Sequence, residues 1–524
     1  MLISLSRAHA GVLAGLSLGL AAVCLAAAPR PSVPEKVLAV DRTLISEERG
    51  STEVLDNLEY LSDIIGPRLT GSENLRRAND WTAEKMKQYG LENVHLEPYT
   101  IPRGWERGPV VARIVEPNGA WVQAAQMAWT PGTHGTVVGP VVMFNPTSEA
   151  DFAQYEGKLH GAIVLTGRIS DRLGGGGMMD YSSEKAPPPI PALSSSTAQT
   201  PSEEESQPRR QQGGPQGNFQ RFRELQQKIN TFLQKEGVAV IMRDAAKPYD
   251  LLNMTGSWTS NSPFTTLFIA HADALMLKRQ IEHGAHVTMS VKADGRFTRG
   301  PLTVYNTVGE IRGSEKPNEI VLIGGHLDSW DLGTGTTDNG TGSMAALEAA
   351  RLLKASGVRP ARTIRVVMFT GEEEGLMGSK AYVEAHKQDM ANYDVVFVHD
   401  TGTGRVKGLW LQDRAEAKLV LDDQFAALND LGLLTDPVTL LPGKMNGTDH
   451  ASFDDAGVPA FAFNQEPAEY SLTHHSQADT FDMIRPDDLK QGACVLAILA
   501  YNAAEMPDRY PRSATGSQSA QGTR

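Results

Sequence analysis

The chain has 524 residues, 40% hydrophobic and 21% charged, the balance of a soluble globular protein. That length exceeds what one ordinary core holds, so two domains, or one domain with a large insertion, are expected. A formal net charge of −13 argues against nucleic acid or an anionic membrane surface as partner.

The first 28 residues read as a secretory signal: Arg7, an apolar run over 10–25, then Ala26-Ala27-Ala28 for cleavage. A secreted or periplasmic chain is expected, with no membrane attachment after signal removal, because no second apolar stretch could span a bilayer. Cys24 falls in the signal, which leaves Cys494 alone in an apolar helical context, as a buried core thiol. Any metal must then be held by histidines and carboxylates.

Residues 29–50 read as a loosely held leading segment. Apolar residues at helical spacing predict a helix over 52–65, stopped by Gly66-Pro67, and a second over 73–89. A strand over 93–101 completes the first piece of an α/β domain, 45–107. Around Gly108 the character changes to short β-type runs at 110–115, 139–144 and 161–165, and again at 238–242 and 286–291. Between them lie a low-complexity loop, 171–217, and a charged helix, 219–235. The block 108–296 is read as a β-rich insertion that interrupts the α/β domain.

From 297 to 506 strands and helices alternate. Strands are expected at 320–323, 364–369, 395–398 and 461–463, and helices at 343–353, 379–386, 415–431 and 487–503. The fold class is therefore α/β, a mostly parallel mixed sheet flanked by helices, with an inserted β-rich domain. Residues 507–524 read as a flexible polar tail.

The chemistry concentrates at strand ends, where open α/β sheets place their sites. The apolar run 320–323 ends in His326 and Asp328, and Asp338 comes twelve positions after His326. The run 364–369 leads to Glu372-Glu373-Glu374, and the run 395–398 to His399-Asp400. Later come His474 and His475. Such groups are costly to bury without partners, so His326 and Asp338 are read as metal ligands with Asp328 supporting them. Nitrogen and carboxylate donors suit zinc, with manganese or cobalt as alternatives. Glu372 and Glu373 cannot point the same way from one backbone stretch. One is suited to hold an ion and its neighbour to move a proton. His399 is expected to face away from Asp400 by strand alternation. Asp331, Glu374 and Asp449-His450 read as loop or structural groups, and Gly335, Gly340 and Gly342 as turn formers around Asp338.

The segments GGHLDSW, TTDNGTG, GEEEGLMGS and HHSQADT, with IGPRLTGS at 65–72, resemble the co-catalytic di-zinc exopeptidases of the leucyl aminopeptidase and plasma glutamate carboxypeptidase type. The resemblance implies His326, Asp338, Glu373, Asp400 and His475 as ligands of two zinc ions, with Asp338 bridging. It implies Glu372 as the catalytic base and Asp328 as the group orienting His326. His475, four positions before Asp479, fits the ligand position. His474 then stands where some relatives carry tyrosine and would assist the oxyanion. The insertion is similar to a protease-associated domain, notably at 155–167 and 236–242, which in relatives partly covers the site. The implied activity is hydrolysis of terminal bonds of short peptides, as an aminopeptidase or dipeptidase, with a carboxypeptidase as the alternative. A one-zinc glutaminyl cyclase-like acyltransferase and a silent binding module on the same scaffold are the rivals. Retention of His326, Asp400 and Glu372 weighs against both. An oligomer is left open.

Overall fold

The computed structural model describes residues 33–171, 215–260, 262–434 and 438–512. The expected signal lies outside these residues, as does most of the low-complexity loop. The described residues form two eight-stranded sheets and a two-stranded pair. Among them, no helix is long and apolar enough to cross a membrane.

The first sheet runs, edge to edge, Glu92–Ile101, Leu302–Ile311, Arg362–Phe369, Lys316–His326, Tyr393–Val398, Ala460–Gln465, Val406–Trp410 and Thr439–Leu441. Its four central strands, Arg362–Phe369 to Ala460–Gln465, are mutually parallel. The strands toward either edge pair antiparallel with them. Central strands buried on both faces must be apolar throughout, and Ile320-Val321-Leu322-Ile323 and Val395-Val396-Phe397-Val398 are. The register matters for the site. His326 lies across from Phe369, Gly324 from Val398, and Val398 from Ala462. Neighbouring strands therefore end nearly level, and the loops that leave their carboxyl ends meet at one rim.

The helices Thr341–Ala355 and Pro486–Glu505 pack together on one face of this sheet. Pro486 pre-sets the first turn of the second helix, and Asp487 and Asp488 sit where its dipole favours acids. Leu347, Leu352, Leu496 and Ile498 are fully buried in this layer, each worth roughly 1.5–3 kcal/mol. Cys494 lies buried and unpaired in the same helix.

Two expectations need correction. The leading segment is not loose: Glu35–Arg49 is a helix with Val37, Leu44 and Ile45 buried, packed against Pro486–Glu505. Its apolar stripe is interrupted by buried Asp41 and Glu48, which hid it. The polar tail is docked as far as it is described. The Tyr510 amide donates to Asp394 Oδ1 and its hydroxyl to Gln424 Oε1, both at 2.8 Å.

The chain leaves the first sheet at Ile101 and returns at Leu302, which pairs with Ile101. Between these points lies the second sheet: Trp121–Val122, Val110–Glu116, Thr288–Ala293, Val137–Phe144, Ile163–Thr166, Val240–Asp244, Thr265–Ile269 and Ala124–Gln126. The strands Val137–Phe144 to Thr265–Ile269 are parallel, so helices are needed to cross between some of them. Pro215–Glu236 is one, beginning before the expected helix, and a further helix that the pattern did not reveal, His271–Glu282, leads from Thr265–Ile269 to the antiparallel strand Thr288–Ala293. This segment is thus less purely β than expected. It has hydrophobic clusters of its own, around Ile163 and Met289 and around Phe144 and Phe232.

Asp41 is fully buried and receives a hydrogen bond from Asn502 Nδ2 at 3.3 Å. Burial pushes its carboxyl up to about 7. In the unfolded chain it ionises near 3.8, so stability is full below that pH and is lost as pH rises through about 7. Asp41→Asn, which cannot ionise, should raise Tm by at least about 2 °C at pH 8 and by less at pH 4.5. Thermal melts at the two pH values check the difference.

Candidate metal centre and active site

His326 closes the strand Lys316–His326, and its ring is 1% exposed. Its Nδ1 lies 3.0 Å from the main-chain carbonyl oxygen of Asp328, an acceptor only, so Nδ1 carries the proton and donates. Nε2, whose lone pair is free for a metal in the neutral ring, faces Asp338 Oδ1 at 3.4 Å and Asp400 Oδ1 at 3.3 Å. The other oxygen of Asp338, Oδ2, lies 3.5 Å from His475 Nε2, which is 3.0 Å from Glu373 Oε2. The structure thus brings His326, Asp338, Glu373, Asp400 and His475 together around one point.

Donor atoms bonded at about 2.0–2.1 Å to a tetrahedral zinc ion stand about 3.3 Å apart. His326 Nε2 lies 3.4 and 3.3 Å from its two carboxylate neighbours and His475 Nε2 lies 3.5 and 3.0 Å from its two, with Asp338 contributing one oxygen to each group. Asp338 Oδ2 and Glu373 Oε1 are buried with no hydrogen-bond partner among the described residues. Charge points the same way. Burial, with the carboxylates of Asp400 and Glu373 close by, holds Glu372 far above the usual carboxylate pKa. Burial opposes a charged His326, yet the carboxylates of Asp400 and Glu372 draw its pKa well above the ordinary value. A cluster so short of positive charge fits divalent cations, whose charge would return Glu372 to a carboxylate and His326 to a neutral ring.

The surrounding acids have different work. Asp328 accepts from Thr70 Oγ1 at 3.2 Å and from the amides of Glu372 and Glu373, each at 3.4 Å. Its side chain fixes the glutamate turn. Its hold on His326 runs mainly through its carbonyl oxygen, since its carboxylate is 3.6 Å from Nδ1. Asp479 accepts from the Thr337 amide at 2.5 Å, the Thr337 hydroxyl at 2.9 Å and the Asp338 amide at 3.3 Å. It fixes the turn that presents Asp338.

Arg68, inside the IGPRLTGS segment but with no role legible from the sequence, anchors the same loop. It is fully buried and donates to the carbonyl oxygens of Leu327 (2.6 Å), Gly66 (3.0 Å), Thr334 (2.8 Å) and Gly335 (2.6 Å). Burial lowers its pKa to about 10, so it stays charged at neutral pH. Gly335 turns the chain at φ +66, and a Cβ there would stand 2.2 Å from Ser329 Oγ. Gly342 is needed for a different reason: a Cβ would meet the His399 carbonyl oxygen at 2.0 Å.

Glu372 sits at the open side of the cluster, its side chain 11% exposed against 4% for Glu373, with Oε2 3.9 Å from His326 Nε2. His474 stacks on His475 with ring centres 3.7 Å apart, and its Nε2 is 3.9 Å from Asp338 Oδ2. His399 packs on Phe463 and points toward Gly492, away from the cluster. His450 donates from Nε2 to the Met445 carbonyl, and Asp449 beside it is fully buried.

The second sheet's segment touches the rim of the cluster in several places. Arg107 pairs with Asp331 at 2.6 Å. Trp129 Nε1 donates to Glu374 Oε1 at 3.3 Å. The Leu252 amide donates to Gln477 Oε1 at 2.8 Å, beside the two histidines. Asp331 and Glu374, read from sequence as loop charges, therefore fasten the two parts together. Nothing local in the sequence marks Trp129 or Arg107 for this.

Residues 306–500 match the model of peptidase family M28. The chain is 30% identical to Carboxypeptidase Q of Pongo abelii over 87% of this chain and 86% of that one. It is 29% identical to Carboxypeptidase Q of Homo sapiens over the same shares. Among solved structures, a peptidase M28 precursor from Shewanella amazonensis is 24% identical, with a TM-score of 0.71, over 91% of this chain and 98% of that one. A zinc aminopeptidase from Bacillus subtilis is 19% identical, with a TM-score of 0.60, over 87% of this chain and 96% of that one. These two likenesses are of fold.

Replacing Arg68 by Met would strip donors from the carbonyls of Gly66, Leu327, Thr334 and Gly335. Unfolding free energy should fall by on the order of 3 kcal/mol, read by chemical denaturation. Arg68→Lys should recover only part of it, because an ammonium cannot span the same fork.

Proposed function

The chain belongs to peptidase family M28 and is a zinc-dependent metallo-exopeptidase, and from that premise we propose that it hydrolyses terminal bonds of short peptides with two zinc ions. His326, Asp400 and one oxygen of Asp338 would hold the first ion. His475, Glu373 and the other oxygen of Asp338 would hold the second. The observation that carries this reading is the division of Asp338: Oδ1 lies 3.4 Å from His326 Nε2 and Oδ2 lies 3.5 Å from His475 Nε2.

Zinc at these donors would supply Lewis-acid polarisation of a carbonyl and a more acidic water. The chain's own residues do the rest. Glu372 takes the proton of the attacking water and hands it to the departing amine, a role supported by its place on the open side of the cluster. His474 presents an imidazole edge beside Asp338, where it can donate to the carbonyl oxygen as negative charge develops. Asp328 and Asp479 keep the glutamate turn and the Asp338 turn from relaxing when charge moves. The insertion, 108–296, acts as a protease-associated-like cover over the rim. The apolar run 10–25 with Ala26-Ala27-Ala28 after it supports a secreted or periplasmic enzyme.

Native mass spectrometry should count two zinc ions per chain. Glu372→Gln should keep both while kcat on a dipeptide falls about 10²–10⁴-fold. Undiminished turnover would take the base's role from Glu372. One ion per chain would sink the shared-carboxylate arrangement.

A further inference from the structure

The loop after Val240–Asp244, in the second sheet, is stitched onto the segment that carries His474 and His475. Lys247 Nζ donates to the Ser471 carbonyl oxygen at 3.1 Å, three residues before His474. The Leu252 amide donates to Gln477 Oε1 at 2.8 Å, two residues after His475, and Gln477 Nε2 reaches the Asp250 carbonyl oxygen at 3.4 Å. The loop is thus fixed on both sides of the histidine pair, with Lys247 at its inner end.

Three arginines around the cluster have their charges committed. Arg107 pairs with Asp331, Arg485 with Glu469, and Arg68 is spent on loop carbonyls. Lys247, half-buried, forms no ion pair among the described residues. An ammonium held at the edge of an acidic cluster, bonded only to a neutral carbonyl, is available to an anion.

We propose that Lys247 anchors a free carboxylate of the peptide substrate, so that the enzyme prefers short peptides whose carboxylate lies close to the bond cleaved. This rests on the peptidase reading above and adds the substrate class. The electrostatics agree. Burial lowers the Lys247 pKa to about 8, against the pull of Asp338, and leaves it charged at neutral pH. A lysine charge here repels a protonated peptide amine and attracts a carboxylate. The second sheet would then contribute a specificity residue to a site whose ligands all come from the first.

The test compares kcat/KM for a dipeptide, its carboxamide, and a dipeptide carboxamide with glutamate in second place. The wild-type chain should prefer the free acid over the carboxamide by about ten-fold or more, mostly through KM. In Lys247→Met that ratio should collapse to within about two-fold, and Lys247→Arg should restore much of it. Rescue by the glutamate side chain would extend the anchor to side-chain carboxylates, and no rescue would restrict it to the terminal one. An acid-to-carboxamide ratio unchanged in Lys247→Met overturns the anchor alone. Equal losses on acid and carboxamide do the same, since they mark a structural role. Cleavage of none of the three by the wild-type chain overturns the peptidase reading and the anchor with it.

Discussion

Crowding of buried carboxylates around Asp338 is the constraint to which the rest of the molecule answers. Two like charges about 4 Å apart repel by about 4 kcal/mol even at an effective dielectric near 20. Asp338, Glu373 and Asp400 stand within that range of a shared pair of histidines. A chain could not hold them there unless the backbone were pinned and positive charge supplied. The acids divide into two kinds by what their oxygens meet. Asp328 and Asp479 are filled by amide and hydroxyl donors and serve to shape turns. Asp338 Oδ2 and Glu373 Oε1 meet none. Asp449 and Glu374 also bury unpartnered oxygens, so what marks Asp338 and Glu373 is an unpartnered oxygen together with a carboxylate oxygen beside a histidine nitrogen.

The pinning comes from sheet topology. Lys316–His326 lies between Arg362–Phe369 and Tyr393–Val398, with all three parallel. From its carboxyl end the chain runs to Arg362–Phe369 on one side, while from Tyr393–Val398 it runs to Val406–Trp410 on the other, which opens the crevice where α/β sheets bind ligands. Level strand ends convert three short sequence runs into one ring of donors. Arg68 then ties the loop after His326 back to the turn at Gly66-Pro67, so a helix far earlier in the chain also fixes the ligand loop.

Much of this was legible in the sequence because it is local. Apolar runs ending in His326, Glu372-Glu373 and His399-Asp400 announce both strands and donors within a few residues of each other. What was illegible depends on partners far away in number. Arg68 looks like any surface arginine until its carbonyl partners, Leu327 and Gly335, are known to lie 259 and 267 residues on. Glu35–Arg49 hides its apolar face behind Asp41 and Glu48, two acids that only tertiary burial could place inside. That the Asp328 carbonyl, and not chiefly its carboxylate, meets His326 is a matter of backbone path, which residue identity does not encode.

The two sheets divide the labour. All five proposed ligands and Glu372 sit on strand ends and loops of the first sheet, where register and Arg68 hold them in place. The segment carrying the second sheet reaches the same place through polar contacts at Asp331, Glu374, Ser471 and Gln477 and through a shared hydrophobic cluster, in which Trp129, Leu252 and Trp258 meet Leu69, Val304 and Trp330. That shared core seats the segment against the rim, and each polar contact adds less to it. A fold arranged this way draws its proposed ligands from one sheet and groups that meet the rest of the peptide from the other. The decision about which peptide end is accepted therefore falls to residues like Lys247, outside every motif that announces the metal centre.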